Sequence, residues 1–179
     1  MSAIVRPRYA PVLRRLHWLM ALLVFAAYLL IEQRGLFPRG SGGRVAMMQG
    51  HFWVGIAIFV LAWWRLASRV RLGAPRITPP LDKASVLLSK LVHLALYAFF
   101  IVMPLLGMAT AWSDGKAVMI PFTGLALPAL LPENEVLAHQ LEDLHGSIGE
   151  AFYWVIGAHV LAAIWHHAFR RDDTLKRML

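Results

Sequence analysis

The chain has 179 residues, 59% of them hydrophobic, with a mean hydropathy of +0.58 and a formal net charge of +8. That composition is too apolar for an ordinary soluble domain. The lack of cysteine excludes disulfides, iron–sulfur clusters and thiolate haem ligation.

Four apolar stretches have membrane-spanning length, at about residues 12–31, 45–66, 87–111 and 144–169. Arg14 and Arg15 precede the first stretch as in a secretory leader. However, Ile31-Glu32-Gln33-Arg34-Gly35 follows with no small-x-small cleavage pattern, so the stretch reads as a retained helix. The loop Glu32–Arg44 is rich in Gly and Arg, carries Pro38, and is expected to be irregular. The second stretch returns and ends at Trp63-Trp64-Arg65, an aromatic and cationic interface anchor. Pro75, Pro79 and Pro80 break helix in the following connection. Pro104 and Gly107 are expected to kink the third helix. The longest loop is predicted over Trp112–Asp143. Its apolar middle, Ile120–Pro132, is expected to lie on the membrane surface or to cap the bundle. Leu137, Leu141 and Leu144 at helical spacing predict a short amphipathic helix leading into the fourth helix. The length fits one domain, 1–179, without repeats or low-complexity tracts. The predicted fold is an all-α membrane protein, a four-transmembrane-helix bundle.

The charges sort by loop. Arg6, Arg8, Arg14 and Arg15 lie before or at the start of the first helix. Arg65, Arg69, Arg71, Arg76, Lys83 and Lys90 flank the second connection, and Arg170, Arg171, Lys176 and Arg177 occupy the tail. The other two loops hold only Arg34, Arg39, Arg44 and Lys116. The positive-inside rule then puts both termini in the cytoplasm. Basicity therefore reports orientation, and no nucleic-acid partner is expected.

Two histidines of the last apolar stretch, His145 and His159, are fourteen residues apart with no Lys or Arg between them. At ~100° and ~1.5 Å per residue they share one helix face, about 21 Å apart along the axis. That suits a helix giving one axial ligand to each of two stacked haems in a membrane ~30 Å thick. His17 lies near the inner end of the first helix and His51 near the outer end of the second. Depth pairs His51 with His145 outside and His17 with His159 inside, although His166 matches the depth of His17 about as well. The residue four positions on is Ala21, Gly55, Gly149 and Ala163 respectively, small enough for a flat macrocycle to lie against the same face. His93, His139, His166 and His167 are followed there by Tyr97, Asp143, Arg170 and Arg171. A proton relay is the competing use of intramembrane histidines. A structural zinc site needs four closely placed ligands, which these depths do not offer.

These residues carry a resemblance that covers essentially the whole chain. The His17-Trp18 helix start, the loop Arg34-Gly35-Leu36-Phe37-Pro38-Arg39, the His145/His159 helix, and the ending His166-His167-Ala168-Phe169 with Asp172-Asp173-Thr174-Leu175-Lys176-Arg177-Met178 resemble the bacterial cytochrome b561 family. The wider superfamily includes the cytochrome b subunits of nickel–iron hydrogenase and formate dehydrogenase. The resemblance implies two haem b groups with His17, His51, His145 and His159 as iron ligands, and it selects His159 over His166. Glu150, one turn from His145, is a carboxylate not expected from the family.

An activity of the superoxide:ubiquinone oxidoreductase type is implied, in a multi-pass protein of the bacterial inner membrane. Arg34, Arg39, Arg44 and Lys116 are the cations available to draw superoxide at the outer face. His93, His166 and His167 lie near the cytoplasmic end, where they could bind ubiquinone or deliver protons to it. One alternative is a cytochrome b anchor passing electrons between a partner dehydrogenase or hydrogenase and quinone. A more distant one is a haem-free transporter or scaffold with a histidine proton relay.

Overall fold

A computed structural model describes residues 8–179, so Arg6 lies outside the described residues. Four long helices follow one another: α1 (Pro11–Glu32), α2 (Gly42–Leu72), α3 (Lys83–Ser113) and α4 (Glu135–Trp165). Each is long and apolar enough to cross a membrane, and no strand is assigned among the described residues. The chain runs up and down. The start of α1 and the end of α4 therefore share one end of the bundle, here the terminal end. The opposite end, the loop end, holds the connections Gln33–Ser41 and Asp114–Asn134.

Local chemistry sets the helix starts. Pro11 occupies the first turn of α1, where its missing N–H costs nothing. Ser41, Asp82 and Asn134 cap α2, α3 and α4 by accepting from the backbone N–H groups of Arg44, Ser85 and Leu137. Gly73, at φ +69°, closes α2. The structure departs from the sequence expectation at α4, which is one continuous helix from Glu135. The expected separate amphipathic helix is its first turns, because the Asn134 cap starts it and nothing after Glu135 interrupts it. The loop before it correspondingly ends at Asn134 rather than Asp143. The first interhelical loop is also less irregular than expected, since Gln33–Leu36 forms a 3-10 turn. α3 runs through Pro104 without a break in assignment.

The core is small and lies at mid-depth. Met20 and Val24 of α1 meet Ile58 and Ala62 of α2, with Phe100, Ile101 and Ile156 packed against them. Large apolar side chains such as Leu22, Phe25, Val60, Leu94 and Trp154 stay exposed on the outside, as a lipid-facing surface requires.

Both ends are tied by polar contacts. At the loop end, Gln49 donates to the Ala117 carbonyl and accepts from the Met119 N–H, both at 2.8 Å. Trp53 Nε1 donates to the Met119 carbonyl at 2.7 Å. Val118 is thereby fully buried, and this part of the loop caps the bundle. Phe122, Leu125 and Leu130 project outward from it. At the terminal end the tail knits the helices together. Trp18 Nε1 donates to the Met178 carbonyl at 3.0 Å, Arg177 to the Pro75 carbonyl at 2.5 Å, and Arg170 pairs with Asp82 at 3.3 Å.

Candidate haem-binding sites

The packed helices bring histidines together at two levels. At the loop end the His51 and His145 ring centroids are 6.1 Å apart, with planes at 78°. At the terminal end His17 and His159 are 6.2 Å apart, at 70°. All four are half-buried. His93 joins the terminal-end group, its ring 5.5 Å from that of His159.

A cavity of about 490 Å³ opens around the loop-end pair. That volume lies within the range of small-molecule and cofactor sites. Gly55, Gly107 and Gly149 line it beside the two histidines, and Phe99, Phe100 and Met103 supply apolar wall. A Cβ added at Gly55 would meet nothing within 4 Å, whereas one at Gly107 would sit 3.0 Å from His145 Cε1. Gly55 thus leaves room beside the rings, and Gly107 lets α3 approach His145.

Polar partners set the ring orientations. His51 Nδ1 donates to the Ala27 carbonyl of α1 at 2.9 Å. The next residue of α1, Tyr28, donates its hydroxyl to the Gly149 carbonyl of α4 at 2.8 Å. Tyr28 also lies against Tyr153, ring centroids 4.4 Å apart, and Tyr153 donates to Glu32 at 3.0 Å. One turn of α1 thereby positions both helices that carry the loop-end histidines. His145 Nδ1 is buried and finds no hydrogen-bond partner among the described residues.

The charged candidates divide. Arg34, Arg44 and Lys116 line the cavity with the acidic Glu32, Glu142 and Glu150, while Arg39 is exposed and is not part of its wall. Arg44 donates to the Arg34 and Phe37 carbonyls at 3.4 and 3.5 Å, and Lys116 pairs with Asp114. Arg39 sits at the turn before the α2 cap. Glu150, whose place the sequence left open, is an exposed residue on the cavity rim.

The remaining histidines also separate. His93 Nδ1 donates to the Ser89 carbonyl at 2.6 Å, one turn back on α3. His166 Nδ1 donates to Asp172 at 2.5 Å, in a π-helical turn that ends α4. The Asp172 side chain is fully buried. Burial works against its charge, but hydrogen bonds from His166 and Thr174 outweigh this and hold the carboxyl below its ordinary range. His167 is exposed. Sequence reasoning missed Ala27, Tyr28, Tyr153 and Asp172. The two tyrosines, Tyr28 in the last turns of α1 and Tyr153 one turn after Gly149 on α4, were the available signal.

A family model described as prokaryotic cytochrome b561 matches residues 8–179. The chain belongs to the prokaryotic cytochrome b561 family. Cytochrome b561 homolog 1 of Escherichia coli is 34% identical over 164 residues, 92% of each chain. A probable superoxide oxidase, CybB, of Yersinia pestis is 38% identical over 164 residues, 92% of this chain and 91% of the relative. Cytochrome b562 of Cereibacter sphaeroides is 29% identical over 183 residues, 97% of this chain and 96% of that protein. With its four spanning helices, the chain is a multi-pass electron-transfer cytochrome of the bacterial inner membrane.

The family implies b-type haem, and the residues present fit it. Two imidazole nitrogens each ~2 Å from one metal ion place their ring centroids about 6 Å apart, as found at both levels. The buried, partnerless His145 nitrogen and the open space beside Gly55 fit the same group.

Proposed function

We propose that this cytochrome oxidises superoxide on the periplasmic side and reduces ubiquinone on the cytoplasmic side. In this reading the single domain 1–179 holds two b haems, one between His51 and His145 and one between His17 and His159. The observation that carries it is the matched ring spacing, 6.1 and 6.2 Å, at two depths of one bundle. The superoxide part draws on the 38% identical relative named a probable superoxide oxidase. The positive-inside rule orients the molecule: the Arg- and Lys-rich terminal end faces the cytoplasm, with both termini.

When bound, haem would supply a one-electron carrier, held by His51 with His145 at one level and by His17 with His159 at the other. The protein's own residues do the rest. Each ligand histidine is neutral, and at His51 the Ala27 carbonyl holds the proton on Nδ1 so that Nε2 is free. Arg34, Arg44 and Lys116 at the cavity rim give an incoming anion a positive local field, against the opposing charge of Glu32, Glu142 and Glu150. Each superoxide gives up one electron and leaves as oxygen. Quinone reduction takes two electrons and two protons at the terminal end. There His166 holds a proton at Nδ1 against Asp172, His93 lies beside His159, and exposed His167 can exchange protons with water.

The decisive experiment uses purified protein in detergent. Its reduced-minus-oxidised spectrum is that of low-spin b haem, superoxide reduces the haems, and added ubiquinone reoxidises them. Haems that superoxide leaves oxidised would overturn the assignment.

A further inference from the structure

Between the two histidine levels, α3 and α4 bring two aromatic rings together. Phe152 lies seven residues after His145 and seven before His159. Seven residues come within about 20° of two full turns and travel ~10.5 Å, so Phe152 shares the histidine face of α4 and sits halfway between them. Phe99 of α3 stands between the same levels. It follows by six residues His93, whose ring lies against that of His159. It precedes by eight Gly107, which abuts His145.

The two rings are stacked, with centroids 4.0 Å apart and planes at 13°. Phe99 also forms wall of the loop-end cavity. Phe100, its ring 5.8 Å from that of Phe99, packs on the buried Met20, Val24, Ile58 and Ala62 cluster and fixes the position of its neighbour. On the other two helices the residues at the same step from a histidine are aliphatic: Val24 after His17 and Ile58 after His51. The aromatics of α1 and α2 at this depth, Phe25 and Phe59, are not on the histidine-spaced positions: Phe25 is exposed and Phe59 lies against Trp63.

An electron crosses such a layer by tunnelling. Tunnelling weakens steeply with distance, and more steeply across empty gaps than through packed matter, so two rings that fill the layer shorten the gaps between the levels. We propose that the Phe99–Phe152 stack is the electronic bridge between the two haem levels, an inference that rests on the two-haem reading above. The rings take no net charge. The electron given up on the loop-end side is the one taken up on the terminal-end side. No proton moves in the step. Phe99 and Phe152 are positioning residues in this role.

The test compares the haem-loaded parent with Phe152→Leu, Phe99→Leu and Phe152→Tyr. Leucine keeps the layer apolar at similar volume, and tyrosine keeps the ring. Haem content, both midpoint potentials and thermal unfolding are measured first. The rate of electron transfer between levels is then read by transient absorption after flash photoreduction. The expected result is a severalfold slower transfer in both leucine variants, with haem content and potentials unchanged, and a parental rate in Phe152→Tyr. Leucine variants with full haem and unchanged potentials that transfer as fast as the parent would overturn the bridge alone. A parent that binds a single haem per chain would overturn the two-haem reading and the bridge with it. Should Phe152→Leu fail to hold haem, Phe152→Met is read in its place, with the same two outcomes.

Discussion

His51 Nδ1 lies 2.9 Å from the Ala27 carbonyl, and that one bond decides which nitrogen of the ring is free. A carbonyl only accepts, so the proton sits on Nδ1 and Nε2 is left with its lone pair free, as the proposed haem ligation requires. The bond crosses from α2 to α1. The chemistry of His51 is therefore set by a backbone group outside its own helix.

Replacing His51 or His145 by Ala halves the haem content per chain, read by the pyridine haemochrome method. The haem that remains keeps a low-spin spectrum, because His17 and His159 are untouched. Gly55→Leu has the same effect by a different route, filling the open space beside the rings while the helical circular dichroism stays constant. Undiminished haem in all three variants would break the loop-end assignment.

Under the proposed function the rim cations act through their field. Arg34→Gln and Arg44→Gln lower the second-order rate of haem reduction by superoxide several-fold at low ionic strength, and the difference shrinks as salt is added. Arg39→Gln, exposed and off the cavity wall, leaves the rate close to the parent's. Pulse radiolysis across a salt series gives both numbers. Equal losses in the three variants would mean that only overall charge matters.

Gln49 fastens the loop-end cap through two hydrogen bonds to neighbouring residues of the loop. Gln49→Ala removes both and loosens the loop by about 1–2 kcal/mol. Limited proteolysis then cuts faster near the exposed Phe122 and Leu125, while the melting temperature of the helices changes little. An unchanged cleavage rate would show that Trp53 holds the cap alone.

The tail clamp responds to acid through Asp172. Its carboxyl is held below its ordinary range in the folded protein, so the folded state favours the charged form. The stabilisation is fully present above the ordinary carboxylate range and is lost as pH falls through the depressed folded value. Hydrogen exchange at the tail accordingly rises on acidification. Asp172→Asn flattens that dependence, and Asp172→Ala, which strips His166 Nδ1 and the Thr174 N–H of their acceptor, costs ~1–3 kcal/mol at neutral pH. A tail whose exchange ignores pH in the parent would refute the linkage.

The sequence by itself determined the number of spanning helices, their up-and-down order and the two levels of histidines. Those features follow from local quantities: apolar run length, helical periodicity and the fourteen-residue step from His145 to His159. Depth alone left His159 and His166 nearly equivalent. The family resemblance selected His159, and the packed bundle puts it against His17 and turns His166 toward Asp172. It likewise places Arg34, Arg44 and Lys116 on one cavity rim and Arg39 off it, and brings Phe99 against Phe152. Such pairings depend on how each helix is rotated about its axis. That rotation is fixed by neighbours far away in the chain, so no local pattern in the sequence records it.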